Sequence, residues 1–224
     1  MFIGHFAVAL GAKRLAPDVS LGTMFLAAQF ADLLWPNLVL LGVEQVKIAP
    51  GITAVTPLDF VSYPYSHSLV ALALWGVIVA LLYRGFGRSP AAAVTVAAVV
   101  VSHWVLDAVS HRPDVPLSFG PPRVGLGLWN SIPATVIVEG TLFLIGVTVY
   151  ARATRARDRI GSLGLWSLTG VLVAIYAANF FSPPPPSVSA VAWTAQALWL
   201  LVALAYWVDR HRVSQAADGR GNAW

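Results

Sequence analysis

Residues 90–111 read PAAAVTVAAVVVSHWVLDAVSH, and this stretch decides the class of the protein. Residues 90–102 hold no ionisable side chain. A helix needs roughly 20 mostly apolar residues to cross a hydrocarbon core of about 30 Å. The stretch therefore predicts a transmembrane helix that carries His103, Asp107 and His111 at one end.

The composition of the whole chain is also typical of a membrane protein. Of 224 residues, 58% are hydrophobic and 11% are charged, whereas a soluble domain has roughly 25% charged residues. So few charges cannot cover a water-exposed surface, and we predict an all-α integral membrane protein. Cysteine is absent, which excludes disulfides and thiolate ligands and leaves His and carboxylate side chains for any metal.

The apolar runs along the chain predict a polytopic bundle of about seven transmembrane helices. Connectors that contain Pro, Gly or Arg separate these runs. The predicted spans cover residues 2–12, 20–43, 66–83, 90–111, 131–151, 161–181 and 188–208. Together they form one predicted domain, residues 1–208, and the polar residues 209–224 are expected to be a disordered cytoplasmic tail.

The basic residues predict how the bundle is oriented. Most of them fall in alternate connectors and in the tail, at Lys13, Arg14, Arg84, Arg88, Arg152, Arg155, Arg157, Arg159, Arg210, Arg212 and Arg220. The positive-inside rule then predicts an external amino terminus, a cytoplasmic carboxyl terminus and long connectors on the periplasmic face of a bacterial inner membrane. The Arg run at 152–159 is explained by this topology and by anionic membrane lipid, and nucleic acid is not an expected partner.

Ionisable residues inside the predicted spans mark a candidate metal site. A central Asp, Lys or Arg costs about 2.5–3.5 kcal/mol on insertion scales, so each one needs a physical reason. His103, Asp107 and His111 stand at i, i+4 and i+8, along one face of a helix. The two histidines are separated by about 12 Å of helix rise, too far to share one ion. Asp107 lies between them, which suits a carboxylate that bridges ions roughly 3.5–4 Å apart.

The predicted orientation brings three further ionisable residues towards the same end. These are His5, His67 and Asp32, the last about halfway across the membrane. Taken alone, His67 is also explained as an interfacial hydrogen-bonding residue, and Asp32 as a partner of Gln29. Their convergence favours a shared metal site, in which His103 and Asp107 are the firmest pair of ligands.

Four other polar residues are further candidates for the metal site or for substrate binding beside it. Glu139 lies in a predicted span and is expected to be a ligand or an acid–base group. Arg112 and Arg123 are predicted to clamp the phosphate of an anionic substrate. Asp114 and Arg112 are equally explained as solvated loop residues.

Four short motifs resemble those of a known family. They are Gly4-His5, Asp32 followed by Pro36, Ser66-His67-Ser68-Leu69 and Ser102-His103-x-x-x-Asp107. Their order over roughly residues 1–140 resembles the bacterial membrane-bound metal-dependent hydrolases of the YdjM type, also described as LexA-binding inner-membrane hydrolases. This resemblance implies an all-α metalloenzyme, distantly similar to zinc-dependent phospholipase C and its nuclease relatives.

The resemblance also implies a set of metal ligands. One zinc ion would be held by Asp32, His67, His103 and Asp107, a second by His5 with bridging Asp107, and a third by His111 and Glu139. The sequence departs from the family pattern at two points. The usual double aspartate is the single Asp32, and a further His of the third site in the soluble relatives has no counterpart.

These observations predict a metal-dependent hydrolase whose site opens near the periplasmic face. We expect two or more zinc ions, although manganese or iron can use the same ligands. The metal would lower the pKa of a water, and the hydroxide would attack a phosphoester of a lipid or lipid-linked molecule. Asp107, Glu139 and His111 are the predicted catalytic residues. The alternatives are a metal-ion or proton transporter that uses the same cluster, and a non-catalytic scaffold that binds a partner through its outer loops.

Overall fold

The computed structural model describes residues 1–215, and this part of the chain is mostly helical. The helices are α1 Ile3–Ala12, α2 Leu21–Ala28, α3 Phe30–Leu40, α4 Pro64–His67, α5 Leu69–Gly85, α6 Pro90–Ser110, α7 Ile132–Ala153, α8 Arg159–Phe181, α9 Val188–Ala195 and α10 Leu198–Arg210. Short antiparallel strands pair β1 Gln45–Ile48 with β2 Leu58–Ser62, β3 Val115–Pro116 with β4 Arg123–Val124, and β5 Thr154–Ala156 with β6 Arg212–Ser214.

Within residues 1–215, four helical segments are long and apolar enough to cross a membrane. They are Pro90–Ser110, Ile132–Ala153, Arg159–Phe181 and Val188–Arg210, and the pair α2 and α3, bent by 51°, makes up to five. The chain is therefore a membrane protein, but these criteria support fewer than the seven predicted spans.

Helix length explains why the expected number of spans is not reached. Helix α1 has 10 residues, which gives about 15 Å of rise, half of the hydrocarbon thickness. Helix α5 has 17 residues, or about 25 Å. Apart from His5 in α1 and Arg84 in the last turn of α5, both helices consist largely of apolar residues, so composition alone could not separate them from full spans.

Serine caps begin the helices that carry or border the site. The Ser68 hydroxyl accepts from the Ala71 N–H at 3.1 Å and begins α5 directly after His67. The Ser89 hydroxyl accepts from the Ala92 N–H at 3.2 Å, and Pro90 occupies the first turn of α6. Such caps satisfy backbone donors that a helix leaves unpaired at its start.

Helix α1 lies in the core of the bundle, where it packs against α2, α6 and α7. Its Phe6 and Leu10 are almost fully buried. Gly146 of α7 lets the two backbones approach closely, because a Cβ at this position would lie 2.5 Å from the carbonyl oxygen of Ala7. Small residues at contacts of this kind let membrane helices pack where lipid is as apolar as the helices themselves.

The end of α10 is tied to α1 and α7 by buried polar contacts. Lys13 Nζ lies 3.1 Å from Asp209 Oδ2, and the Tyr150 hydroxyl donates to Asp209 Oδ1 at 2.8 Å. Arg212 donates to Thr154 Oγ1 at 2.9 Å, where β6 pairs with β5. The chain is therefore folded beyond residue 208.

The folded domain extends beyond the boundary predicted at residue 208. Helix α10 extends to Arg210 and β6 covers Arg212–Ser214, so this part of the predicted tail is folded. Its polar side chains pair with Lys13 after α1, with Tyr150 of α7 and with Thr154 after α7. The rest of the predicted disordered tail, residues 216–224, lies outside the described residues.

Candidate metal centre

Five ionisable side chains from α1, α3, α4 and α6 meet at the end of the bundle where α6 ends. We call them the His/Asp cluster, which consists of His5, Asp32, His67, His103 and Asp107. It contains two trios whose ligand atoms all lie within 4.8 Å of one another: His5, His103 and Asp107, and Asp32, His67 and His103. The structure thus brings together the residues that the sequence predicts to share a metal.

The two oxygens of Asp107 face different histidines. Oδ2 lies 3.2 Å from His103 Nε2 and 3.8 Å from His67 Nε2. Oδ1 lies 3.1 Å from His5 Nε2. This is the placement that a carboxylate needs in order to bridge two ions.

Asp32 completes the side of the cluster that His67 and His103 share. Its Oδ1 lies 3.3 Å from His67 Nε2 and 3.8 Å from His103 Nε2. The break after α2 at Gln29 places Asp32 in the first turn of α3. Its side chain is 32% exposed, whereas that of Asp107 is 3% exposed, so the cluster opens towards solvent beside Asp32.

His103 presents one free nitrogen to the cluster. Its Nδ1 lies 2.7 Å from the backbone carbonyl oxygen of Ala28, at the end of α2. A carbonyl only accepts, so Nδ1 carries the hydrogen and, in the neutral ring, Nε2 carries the lone pair. This Nε2 is buried and has no hydrogen-bond partner within residues 1–215. Metal-binding histidines commonly donate their second nitrogen to a backbone carbonyl in this way.

His5 lies beside a group that the sequence analysis did not include, the amino group of Met1. This group lies 2.7 Å from Asp107 Oδ1 and 3.1 Å from both His5 Nε2 and Ser110 Oγ. It is a backbone group, so no side-chain pattern could have pointed to it. His5 Nδ1 is buried without a partner in the described part of the chain.

His111 lies at the edge of the cluster and belongs to neither trio. Its Nε2 is 3.9 Å from Asp107 Oδ1, and its Nδ1 is 3.2 Å from Asp114 Oδ1. The residue directly follows α6, and its ring centroid lies 4.2 Å from that of Trp129. Asp114 thus orients the ring rather than standing in solvent.

Glu139 is buried and also belongs to neither trio. Its Oε2 accepts from the backbone N–H groups of Phe2 at 2.9 Å and Gly4 at 3.3 Å. The carboxylate therefore caps the start of α1 and fixes the position of His5. The sequence placed Glu139 among ligands or acid–base groups, and its observed contacts are those of a positioning group.

The two arginines predicted to clamp a phosphate have different surroundings. Arg112 is paired with Asp59, and its Nε donates to Asp114 Oδ2 at 2.9 Å. Its charge is thus compensated within the protein. Arg123 is exposed and lines a shallow cleft together with Tyr63 and other residues of the same surface.

Tyr63 connects this cleft to His111. Its hydroxyl donates to Asp114 Oδ1 at 3.2 Å. Burial is the main cause that raises the pKa of Tyr63 well above its usual value, and the negative charge of Asp114 raises it further. The hydroxyl therefore remains a hydrogen-bond donor at neutral pH.

The donor set of the cluster fits a divalent cation. Buried carboxylates and imidazoles are expensive unless they are paired or bind a metal. Within residues 1–215, His103 Nε2 is buried and makes no hydrogen bond, although Asp107 Oδ2 lies 3.2 Å away. Imidazole with carboxylate is the usual ligand set of zinc where cysteine is absent. No protein-family model, curated protein or solved structure matches this chain.

Proposed function

We propose that this protein is a membrane-embedded, metal-dependent hydrolase that cleaves a phosphoester of a lipid or a lipid-linked molecule. The observation that carries the proposal is the position of Asp107, whose two oxygens face His5 on one side and His67 with His103 on the other. A carboxylate placed in this way can bridge the two ions that a two-metal hydrolytic site holds roughly 3.5–4 Å apart.

Each ion would have its own ligands. The first would be held by Asp32, His67, His103 and Asp107, and the second by His5 and Asp107, with the Met1 amino group beside them. Zinc is the favoured ion because the ligands are nitrogen and oxygen, although manganese and iron accept the same groups.

The ions and the protein side chains would have separate roles in hydrolysis. When bound, the ions would supply a water of lowered pKa and stabilise negative charge on the phosphoryl oxygens. In the proposed step that water would lose a proton to bulk solvent, its oxygen would bond to phosphorus, and the bond to the leaving alcohol oxygen would break. His111, oriented by Asp114, is the group we assign to protonate that oxygen, because it borders the cluster without belonging to a trio. Glu139 holds α1 and therefore His5 in place.

The substrate assignment follows from where the cluster lies. It sits at one end of a bundle of apolar helices, where the headgroup of a membrane lipid can enter beside Asp32. Arg123, exposed at the same end, is the group we assign to contact its phosphate. We propose that this end faces the periplasmic side of a bacterial inner membrane, as the positive-inside rule predicts from the basic connectors.

Packing below the cluster favours a hydrolase over an ion transporter. Phe6, Leu10 and Phe25 are 0–2% exposed and fill the core between His5 and the Lys13–Asp209 pair. An ion pathway would need polar groups to continue across this layer. The described residues place apolar side chains there instead.

The proposal is tested by metal content and hydrolysis in the same preparation. The full chain, tagged at its carboxyl end to leave Met1 undisturbed, is purified in detergent beside Asp107→Ala and the exposed control Asp18→Ala. We expect two zinc ions in the wild type and in the control, and loss of both in Asp107→Ala. Hydrolysis of a chromogenic phosphodiester and of phosphatidylglycerol vesicles should follow the metal content.

Three results would overturn this assignment. The first is a wild-type protein without metal even after incubation with zinc, and the second is an Asp107→Ala variant that keeps full metal and activity. The third is zinc flux in proteoliposomes that is lost in Asp32→Ala, which would favour the transporter.

A further inference from the structure

Glu44 is a fully buried carboxylate outside the His/Asp cluster, in the segment between α3 and β1. Its Oε1 accepts from the backbone N–H groups of Tyr65 at 2.8 Å and Ser66 at 2.9 Å. Its Oε2 accepts from the Ser66 hydroxyl at 2.5 Å. Within residues 1–215, the hydrogen bonds of this carboxylate are thus made with the short helix α4 that ends at His67.

The hydrogen bonds from Glu44 to His67 have a fixed direction. An ionised carboxylate only accepts, so the single hydroxyl hydrogen of Ser66 points to Glu44. Ser66 Oγ then offers a lone pair to His67 Nδ1, which lies 2.7 Å away. His67 Nδ1 must therefore be the protonated nitrogen, and in the neutral ring Nε2 carries the lone pair.

This tautomer is the one that a metal at the cluster requires. His67 Nε2 faces Asp32 Oδ1 at 3.3 Å and Asp107 Oδ2 at 3.8 Å. The opposite tautomer would direct an N–H group at the same place and could not bind an ion.

We propose that Glu44 is a positioning residue that acts through Ser66 to set the tautomer and the ring orientation of His67. This inference rests on the proposed metal centre for its consequence, but the contact of Ser66 Oγ with Nδ1 fixes the proton there with or without an ion. A histidine ligand depends on the partner of its second nitrogen, and loss of such a partner typically costs about 10–100-fold in metal affinity.

The substitution Glu44→Gln reverses the direction of these hydrogen bonds with almost no change of shape. The amide oxygen can still accept from the Tyr65 and Ser66 N–H groups, and the amide nitrogen now donates to Ser66 Oγ. The Ser66 hydrogen has then lost its acceptor on residue 44, and His67 Nδ1, 2.7 Å from Oγ, is the acceptor that remains, so we expect the ring proton to move to Nε2. We expect zinc affinity to fall by about 10–100-fold.

Ser66→Ala provides the matched comparison. This change removes the hydroxyl, so His67 loses a partner but can still keep its proton on Nδ1. The double variant Glu44→Gln/Ser66→Ala lacks the hydroxyl that forces the wrong tautomer. We therefore expect it to bind zinc more tightly than Glu44→Gln alone, whereas a merely structural role of Glu44 would make the double variant weaker than either single one.

Two measurements on the full chain in detergent test the proposal. Zinc affinity is measured by competition with a chromophoric chelator for the wild type and the three variants. The ring-nitrogen NMR shifts of His67 are measured in zinc-free protein labelled with ¹⁵N-histidine and assigned by the signal lost in His67→Asn. We expect a proton on Nδ1 in the wild type, where Nε2 lies at hydrogen-bond distance from Asp32 Oδ1, and an Nδ1 without a proton in Glu44→Gln.

The outcomes separate this proposal from the proposed function. An Nε2–H tautomer of His67 in the wild type would overturn it, even if no variant folds. Unchanged zinc affinity in Glu44→Gln, or a double variant weaker than Glu44→Gln, would also overturn it. A wild type with the expected tautomer but no zinc binding would refute the metal centre and leave the role of Glu44 in setting the tautomer intact.

Discussion

The rings of His5 and His103 are stacked in parallel, with centroids 3.7 Å apart and planes 1° from each other. The first lies on α1 and the second on α6, and their Nε2 atoms face opposite oxygens of Asp107. Two protonated rings at this distance would repel by about 4 kcal/mol at an effective dielectric constant near 20. The stack therefore favours neutral imidazole in at least one ring, which is the form that binds metal.

Asp107→Asn should remove the metal while preserving the shape of the cluster. The amide keeps one oxygen but loses the negative charge that faces His5 on one side and His67 with His103 on the other. We expect zinc content to fall below half of the wild-type value and phosphodiester hydrolysis to fall at least 100-fold, which corresponds to about 2.7 kcal/mol in activation free energy. Elemental analysis and steady-state rates on the same preparations measure both, with Asp18→Asn as the control. Full zinc content in Asp107→Asn would contradict a bridging role.

Removal of the metal should lower the thermal stability of the wild type. A ligand present at 100 times its Kd stabilises the native state by about 2.7 kcal/mol. For a chain of this size that corresponds to a Tm lower by about 5–10 °C in excess chelator. Tryptophan fluorescence during heating in detergent follows the transition, and added zinc should restore it. The Asp107→Asn variant is the control, and an equal effect of chelator on its Tm would show that the metal acts elsewhere.

The sequence predicted the cluster better than it predicted the helices. The spacing of His103 and Asp107 follows directly from the helical repeat. The distribution of arginines predicts that His5 and His67 share one end of the bundle, and both side chains do belong to the cluster, but the seven-span topology behind that prediction is not supported. The roles of Glu44 and Glu139 were out of reach, because a hydrogen bond between residues distant in sequence depends on tertiary packing that no local pattern encodes.

The same limit explains what was predicted incorrectly or incompletely. Composition made α1 resemble a span, although its 10 residues are too few and it lies in the core. Arg112 seemed available for a phosphate because its partner Asp59 lies in a different connector. The polar residues 209–215 were assigned to a tail because the contacts of Asp209 with Lys13 and Tyr150 cannot be read from sequence.

Glu139→Gln should separate a positioning role from an acid–base role. The amide oxygen can still accept from the Phe2 and Gly4 N–H groups, so the cap on α1 is preserved. We expect zinc content to be retained and activity to remain within about threefold, a change of under 1 kcal/mol.

Glu139→Ala is the companion variant. It should lower the free energy of unfolding by about 1–3 kcal/mol, because buried backbone donors lose their acceptor. Chemical denaturation in mixed micelles measures this change. A 100-fold loss of activity in Glu139→Gln with zinc retained would instead assign Glu139 to proton transfer.

Two glycines of α7 provide a paired test of how tightly α1 must be held. A Cβ at Gly146 would lie 2.5 Å from the carbonyl oxygen of Ala7, whereas a Cβ at Gly140 has no neighbouring atom within 4 Å. Gly146→Ala should therefore displace α1 at a cost of about 1–3 kcal/mol, and it should weaken the binding of the ion held by His5. Gly140→Ala should leave both stability and zinc content close to wild type. Thermal unfolding and zinc titration of the two variants check this, and equal behaviour would mean that the close approach of α1 and α7 does not position the metal centre.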